Sequence, residues 1–443
     1  MLPEKQPSDP AGESSNRKDH SHRADVAWRH TVDRIAAFEN RLATRSGAAG
    51  ESWSLDGDDA SYRLFAGVVR HHALLSHFLE QSVKRAPKAR LKAALMPSIF
   101  ELYENVGDPG RVARIVHHAV EMIRREFSAR EGGFANAVMR GIASGMPGML
   151  TGLEIRKQWD ILYSHPEALI SRWVASFGED RTLDLLKWNQ GVPELYVNDV
   201  AGTIVEVLGA SGSGVLEATG WDGFHRIIRS GPVAIPELLR QRLYIQDPST
   251  AVAPSLMGDE LRGRFLDACA APGGKLVHLW KRLARADVES RIVAVDRDER
   301  RVRLIRQNVE RLSLDRVELS CVDWGSAICP FDESSFDGVL VDAPCSNSGV
   351  IQRHPDVRWR LGEEDFSRMP IIQGRILDAV SSLVKPGGRL VYSTCSIDAA
   401  ENEGVVDAFL GRQNLGFRLV RAISLFPPDS GTDGVGAFLL ERD

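Results

Sequence analysis

Two cysteines toward the C-terminal end carry the most reactive chemistry in the chain: Cys345, closing Asp342-Ala-Pro-Cys345, and Cys395, in Ser393-Thr-Cys-Ser396. A thiol acts as a nucleophile only as its thiolate, which forms where positive charge or N–H donors lie close by. The other cysteines are Cys269, Cys321 and Cys329, and none of the five forms a C-x-x-C pair. Neither a disulfide framework nor a zinc site is therefore expected, and no metal is assigned. Cys321 and Cys329 read as inert thiols. The second chemical feature is the run Asp267-Ala-Cys-Ala-Ala-Pro-Gly-Gly-Lys275. Its small residues and paired glycines let backbone approach a ligand closely, and a helix starting there points its amides at that ligand. Asp296, Asp323 and Asp342 make the third feature. Singly each suits a turn or a helix cap; together, at successive strand ends, they suit a nucleoside, with Asp296 placed to accept hydrogen bonds from a ribose.

These residues need elements that aim them into one crevice. From Arg264 onward, short β-rich runs (Arg264–Ala268, Ile292–Asp296, Val317–Cys321, Gly338–Asp342 and Arg389–Thr394) alternate with helical stretches at Asp298–Leu312 and Asp365–Leu383. Such alternation predicts right-handed βαβ units and a parallel sheet covered on both faces. Ligands bind such a sheet beyond the carboxyl ends of its strands, at the switch in strand order. Each chemical residue follows a strand, so Cys345 and Cys395 are expected to open into the same crevice.

Upstream the pattern differs. From Val26 to about Ile142 apolar residues recur at helical spacing: Trp28, Val32, Ile35 and Leu42; Leu64, Val68, Leu75 and Leu79; Val112, Ile115, Val116 and Ala119. Pro97 is expected to start or kink a helix, and the Gly- and Pro-rich run from Gly141 to Gly148 to close the segment. Between about 156 and 256 a helix near Glu167–Phe177 and β-like pieces near Leu195–Val197 and Thr203–Val207 suggest a mixed region. The first two dozen residues lack apolar periodicity and read as a disordered tail. They also lack the apolar core of a signal peptide, and no run of about 18 apolar residues occurs. A cytoplasmic monomer is expected. The net charge of −5 excludes a protein that grips nucleic acid with its whole surface, so any RNA contact must be local.

The catalytic stretches closely resemble the Fmu/Sun-type RNA (cytosine-5) methyltransferases of the bacterial RsmB type. They are Cys269-Ala-Ala-Pro-Gly-Gly-Lys275, Val341-Asp-Ala-Pro-Cys-Ser346, Gly349-Val-Ile-Gln-Arg-His-Pro-Asp-Val-Arg-Trp359, Ser393-Thr-Cys-Ser396 and Glu401-Asn-Glu403. Gly133-Phe-Ala-Asn-Ala-Val-Met-Arg140 resembles the signature of the NusB-like helical domain that precedes such catalytic domains, and Gln246-Asp-Pro-Ser249 their lead-in segment. The resemblance implies a Rossmann-like S-adenosylmethionine-dependent methyltransferase domain (256–443), a helical NusB-like RNA-binding domain (25–148) and a small mixed α/β linker subdomain (155–255), after a tail (1–24). It implies that Cys269, Ala270, Ala271, Pro272, Gly273, Gly274, Lys275, Asp296, Asp323 and Asp342 hold S-adenosylmethionine. Cys395 is then the nucleophile that adds to C6 of a cytosine and makes C5 enamine-like, and Cys345 assists product release. Spacing does not assign those two roles, and DNA cytosine methyltransferases use the Pro-Cys cysteine instead. Asp342 joins the catalytic set, because a carboxylic acid near N3 stabilises the charge that develops on the ring. The implied substrate is small-subunit ribosomal RNA. The alternatives are a tRNA or DNA cytosine substrate, or a non-catalytic RNA-binding assembly factor on the same fold.

Three positions depart from the family pattern: Tyr196 in place of an arginine, Asn347 and Ser348 in place of small residues, and a stretch from Asp433 to Phe438 without the usual aromatic pair. Two arginine clusters offer RNA contacts. One is Arg297, Arg300, Arg301, Arg303, Arg306 and Arg311. The other is Arg353, His354, Arg358 and Arg360, which lies beside the crevice and is the preferred site for RNA phosphates.

Overall fold

The computed structural model describes residues 10–44, 59–200, 202, 216–228, 243–259, 261–283, 289–326, 329–412 and 416–443. The chain divides into two compact units: Met1–Gln190 with Arg358–Arg360, and Gly191–Val357 with Leu361–Asp443.

The first unit is helical: α1 (Pro10–Thr44), α2 (Asp59–Arg70), α3 (His72–Ser82), α4 (Ala89–Glu104), α5 (Pro109–Glu126), α6 (Ala129–Ile155), the single turn α7 (Trp159–Leu162), α8 (Glu167–Phe177) and α9 (Glu179–Gln190). α5 shows why these stretches are helices. Asp108 caps it by accepting from the Arg111 amide, Pro109 occupies the first turn, and Ile115, Val116, Ala119, Val120 and Ile123 bury one stripe. α6 begins on Ser128, whose hydroxyl accepts from the Glu131 amide and donates to the Glu131 carboxylate.

Three expectations are corrected here. The tail is helical from Pro10, because a helix anchored by buried Trp28, Val32 and Ile35 extends backward at little cost once nucleated; residues 1–9 lie outside the described residues. The glycine- and proline-rich run does not close the segment. α6 continues through Pro147 to Ile155, since the buried series Met139, Ile142, Met146 and Leu153 runs past it. Pro97 lies inside α4 rather than at its start. Finally, α8 and α9 belong to the helical unit rather than to the mixed region; Leu169, Trp173, Leu185 and Leu186 are buried there.

The second unit holds two sheets. β1 (Tyr196–Asp199), β2 (Leu216–Ala218), β3 (Phe224–Ile227) and β4 (Leu243–Ile245) form a small antiparallel sheet in the order β2-β3-β1-β4. The expected piece at Thr203–Val207 lies outside the described residues. The large sheet contains β5 (Arg264–Asp267), β6 (Arg291–Asp296), β7 (Val317–Cys321), β8 (Phe336–Asp342), β9 (Val384–Thr394), β10 (Phe417–Leu425) and β11 (Val435–Arg442), ordered β10-β11-β9-β8-β5-β6-β7. β9 to β7 run parallel; β10 and β11 are antiparallel. The helices of this unit are α10 (Val252–Ser255), α11 (Gly274–Leu283), α12 (Glu299–Leu312), the turn α13 (Val357–Arg360), whose last three residues count with the helical unit, α14 (Glu363–Ser381), α15 (Glu403–Arg412) and the turn α16 (Pro427–Ser430). Along β8, Val339 and Val341 enter one core layer and Leu340 the other, the two-sided burial of a parallel sheet. β5, β6 and β7 lie on one side of the centre and β8 and β9 on the other, so the switch point falls between β5 and β8. Among the described residues no helix is long and apolar enough to cross a membrane.

Candidate active site

The turn after β5 is pinned from outside by side chains of neighbouring elements. Arg301 Nη2 donates to the Ala271 carbonyl at 3.0 Å, Asn308 Nδ2 to that of Pro272 at 2.9 Å, and Trp324 Nε1 to that of Ala268 at 2.7 Å. Gly273 takes φ +110°, a conformation that excludes a side chain and turns the chain into α11. With its carbonyls tied back, this loop can present its amides inward.

Carboxylates line the strand ends beside it. Asp267 is fully buried; the Cys269 amide leans toward it, but neither oxygen has a hydrogen bond of good geometry. Burial, and then the neighbouring Asp342 carboxylate, push its pKa up to about 8. Burial also pushes the Cys269 thiol up, reinforced by Asp267. Asp296 is buried at the end of β6, accepting from the Asp298 amide and facing Arg301 at 3.3 Å. Asp323, after β7, is exposed and caps its own turn by accepting from the Gly325 amide. Asp342 is held at both oxygens, by Lys275 Nζ at 2.7 Å and by the Ser393 hydroxyl at 3.2 Å. Burial opposes the charge on Lys275, but Asp342 and the Cys395 sulfur outweigh it, so the pKa is raised and the ammonium kept. Among the described residues no cluster of His, Cys, Asp and Glu is arranged to hold a metal.

The two cysteines meet. β8 and β9 pair with Asp342 opposite Ser393, so the turns that leave them carry Cys345 and Cys395 to a sulfur–sulfur distance of 3.3 Å. Cys345 is buried and Cys395 half-buried. Its contact with Cys395, then burial, hold the Cys345 thiol well above its ordinary range. Asn347, in a left-handed conformation at φ 61°, reaches across both. Its Oδ1 accepts from Cys395 Sγ at 3.0 Å, and its Nδ2 donates to the Cys345 carbonyl at 3.3 Å.

A buried polar frame holds the two turns together. Glu401 accepts from the Ser346 amide (2.8 Å), the Gln373 side-chain amide (2.9 Å) and the Ser396 hydroxyl (2.7 Å). Asn402 accepts from Thr394 and donates to the Ser396 carbonyl. Ser346, Ser348 and Ser396 share hydroxyl hydrogen bonds. Gly349 donates to the Cys395 carbonyl at 3.0 Å, and a Cβ on it would stand 2.7 Å from that oxygen. The Glu401-Asn402 pair is thus the brace between the turns. The sequence marked the motif but assigned it no task, because nothing in its spacing shows what it holds.

The preference between the arginine clusters is corrected. Half-buried Arg353 is ion-paired with buried Asp247 and Asp433 (2.8 Å from Asp433) and donates to the Glu194 carbonyl at 2.7 Å. Arg358 is fully buried within the helical unit, donating to the backbone carbonyls of Arg70, Tyr163, Ser164 and Asn189. Both are structural, because guanidinium donors already committed to carboxylates and carbonyls are not free for phosphates. The exposed cluster runs from Arg297 into α12: Arg297, Arg300, Arg303 and Arg306 lie outward, whereas Arg311 is turned to the Leu243 carbonyl. The departures also find partners. The Tyr196 ring lies under Arg353, with its hydroxyl on Glu194. Gly434 and Gly436 pack so tightly on Gly349 and Asn402 that only glycine fits.

Residues 256–424 match the family described as 16S rRNA methyltransferase RsmB/F, and residues 33–144 match the NusB family. The ribosomal RNA small subunit methyltransferase B of Salmonella arizonae is 31% identical over 363 residues, covering 78% of this chain and 80% of that protein. The probable enzyme of that name from Bacillus subtilis is 28% identical over 355 residues, covering 78% of each. The fold is shared with the crystal structure of PH0851, at 24% identity and a TM-score of 0.74 over 94% of this chain and 99% of that one. A Rossmann-like catalytic sheet, a NusB-like helical segment and likeness to small-subunit methyltransferases along most of both chains place the protein in the RsmB/F family of 16S rRNA methyltransferases.

Proposed function

We propose that this chain methylates carbon 5 of a cytosine in small-subunit ribosomal RNA through a covalent bond between Cys395 and C6 of the base. The observation that carries the reading is the pair of sulfurs 3.3 Å apart at adjacent strand ends, beside the Lys275–Asp342 ion pair. The site also fits the cofactor of this fold. Buried Asp267 has two oxygens without well-formed hydrogen bonds, and Asp296 is a buried carboxylate at the second strand end, suited to ribose hydroxyls. The turn from Cys269 to Gly274, with Lys275, Asp296, Asp323 and Asp342, would hold S-adenosylmethionine, whose methyl group C5 takes up.

The protein's own residues then act in order. The Cys395 thiolate adds to C6, and the electron pair displaced from the 5,6 double bond makes C5 nucleophilic. The Lys275 ammonium and the Cys395 sulfur share one site, since the sulfur helps to keep that ammonium charged. Asp342, ion-paired with Lys275 and accepting from Ser393, can serve N3 only after taking up a proton, which it would then donate as negative charge develops on the ring. After methylation a base takes the C5 proton, the double bond re-forms and the carbon–sulfur bond breaks with its electron pair on Cys395. Cys345 stays protonated beside that sulfur and stabilises the departing thiolate by donating its S–H.

The test uses purified protein, S-adenosylmethionine and ribosomal RNA. Cys395→Ala should abolish 5-methylcytidine formation while leaving cofactor affinity nearly unchanged. Cys345→Ala should accumulate a protein–RNA adduct that survives denaturing electrophoresis and vanishes when Cys395 is also replaced. An adduct trapped by Cys395→Ala instead reverses the two roles, turnover by Cys395→Ala removes Cys395 as the nucleophile, and failure of both variants to trap an adduct removes the covalent reading.

A further inference from the structure

We infer that Asn347 is a latch on the nucleophile, holding Cys395 in its thiol form while the site is empty. This rests on the reading of Cys395 as nucleophile and concerns a position where the chain departs from its family's small residues. The carboxamide lies between the two sulfur-bearing turns and touches both. Its Nδ2 donates to the Cys345 carbonyl at 3.3 Å, which fixes its orientation: turned over, its oxygen would face that carbonyl oxygen. Only Oδ1 can therefore face Cys395, and it does so at 3.0 Å, as an acceptor. A thiol can donate to that oxygen; a thiolate at the same distance sets lone pairs against lone pairs.

The other groups around the sulfur act the opposite way. The Cys345 thiol, 3.3 Å off, can donate to a Cys395 thiolate, and the Lys275 ammonium attracts it. Asp342 tempers Lys275 through their ion pair. Asn347 is the remaining side chain in hydrogen-bond contact with the sulfur, and the one that favours the proton. It is a positioning residue whose withdrawal, through movement of the Cys345–Asn347 backbone, frees the thiolate. The left-handed backbone suits asparagine and glycine, so glycine removes the amide without straining the turn.

The test is the rate of Cys395 alkylation by iodoacetamide at pH 7.5, in the whole protein without RNA or cofactor, read by peptide mass spectrometry. Asn347→Gly should react roughly 3- to 10-fold faster, the factor one neutral hydrogen bond commands. Asn347→Asp, the same shape with a charged acceptor, should react about tenfold slower or more. Equal rates for wild type and Asn347→Asp, or an Asn347→Gly protein no faster than wild type, overturn the latch. If glycine unfolds the turn, the aspartate variant decides alone. Because alkylation needs no turnover, the latch can fail while Cys395→Ala still abolishes methylation. Turnover by Cys395→Ala would remove the nucleophile assignment whatever the alkylation rates.

Discussion

Replacing Glu401 with alanine leaves three buried donors without their acceptor: the Ser346 amide, the Gln373 side-chain amide and the Ser396 hydroxyl. Each buried donor left unmade costs about 1–3 kcal/mol, and partial relaxation brings the sum to about 3–6 kcal/mol. Glutamine should be far milder. Its amide can turn its oxygen to Ser346 and Gln373 and its NH2 to Ser396, whose hydroxyl can accept and donate onward to Ser346 or Ser348. That rearrangement costs about 1–2 kcal/mol. Ser346 and Ser396 adjoin the two cysteines, so kcat should fall at least about tenfold in Glu401→Ala. S-adenosylmethionine affinity should stay within about twofold, because Glu401 touches neither Lys275 nor Asp296. The assays are urea unfolding of the whole chain with each unit's transition fitted separately, calorimetric cofactor binding, and single-turnover methylation. A Glu401→Ala protein destabilised by under about 1 kcal/mol, or a glutamine variant as damaged as the alanine one, refutes the brace.

Asp296→Ala should weaken S-adenosylmethionine binding by roughly 10- to 100-fold, the worth of a charged acceptor for ribose hydroxyls; unchanged affinity by calorimetry takes Asp296 out of the site. Arg353→Ala strands Asp247 and Asp433 together in the interior and should destabilise the catalytic unit by about 3–5 kcal/mol; a variant as stable as wild type but weak for RNA would restore the phosphate reading. His71 supplies a pH test: burial, then the charges of Arg70 and Arg358, hold it down to about 3. Between its ordinary value near 6.5 and that point the unfolded chain takes up a proton that the native one refuses, so stability is full above 6.5 and is lost as pH falls. From pH 6.5 to 5 the helical unit should lose about 2 kcal/mol more in wild type than in His71→Phe, and equal slopes in urea unfolding would contradict the assignment.

The readable parts of the sequence are those in which residue type and local spacing suffice. The five parallel strands announced themselves as short β-rich runs alternating with helical stretches, and Asp298–Leu312 by its period. β10 and β11 are not legible in the same way, because strand–helix alternation ends at α15 and they follow as an antiparallel pair. The thiols were legible as reactive groups, and their meeting follows from β8 and β9 being neighbours. What a charged side chain pairs with was not legible. Arg353 and Arg358 look like solvent-facing cations in a string of letters, yet their partners lie 80 to 288 residues away in sequence. Only Asn308 and Arg301 on α12 show why that helix, not the loop after Cys345, keeps its remaining arginines outward: its inner edge is committed to the glycine turn. The brace was hidden for a similar reason, since a buried glutamate and an exposed one are spelled alike.

The seating of Arg358 among the carbonyls of Arg70, Tyr163, Ser164 and Asn189 has a consequence for the order in which the chain is born. Helices α2 to α9 leave the ribosome first, but the guanidinium that satisfies these carbonyls is made about 170 residues later, some 10–30 s behind at ordinary rates of synthesis. During that interval the carbonyls must be served by water, and Trp359, whose indole donates to the Val69 carbonyl, is missing from the same core. The nascent helical unit therefore waits in a hydrated, less tightly closed form. It reaches its final packing only when Arg358 and Trp359, in the stretch that follows Cys345, have been translated.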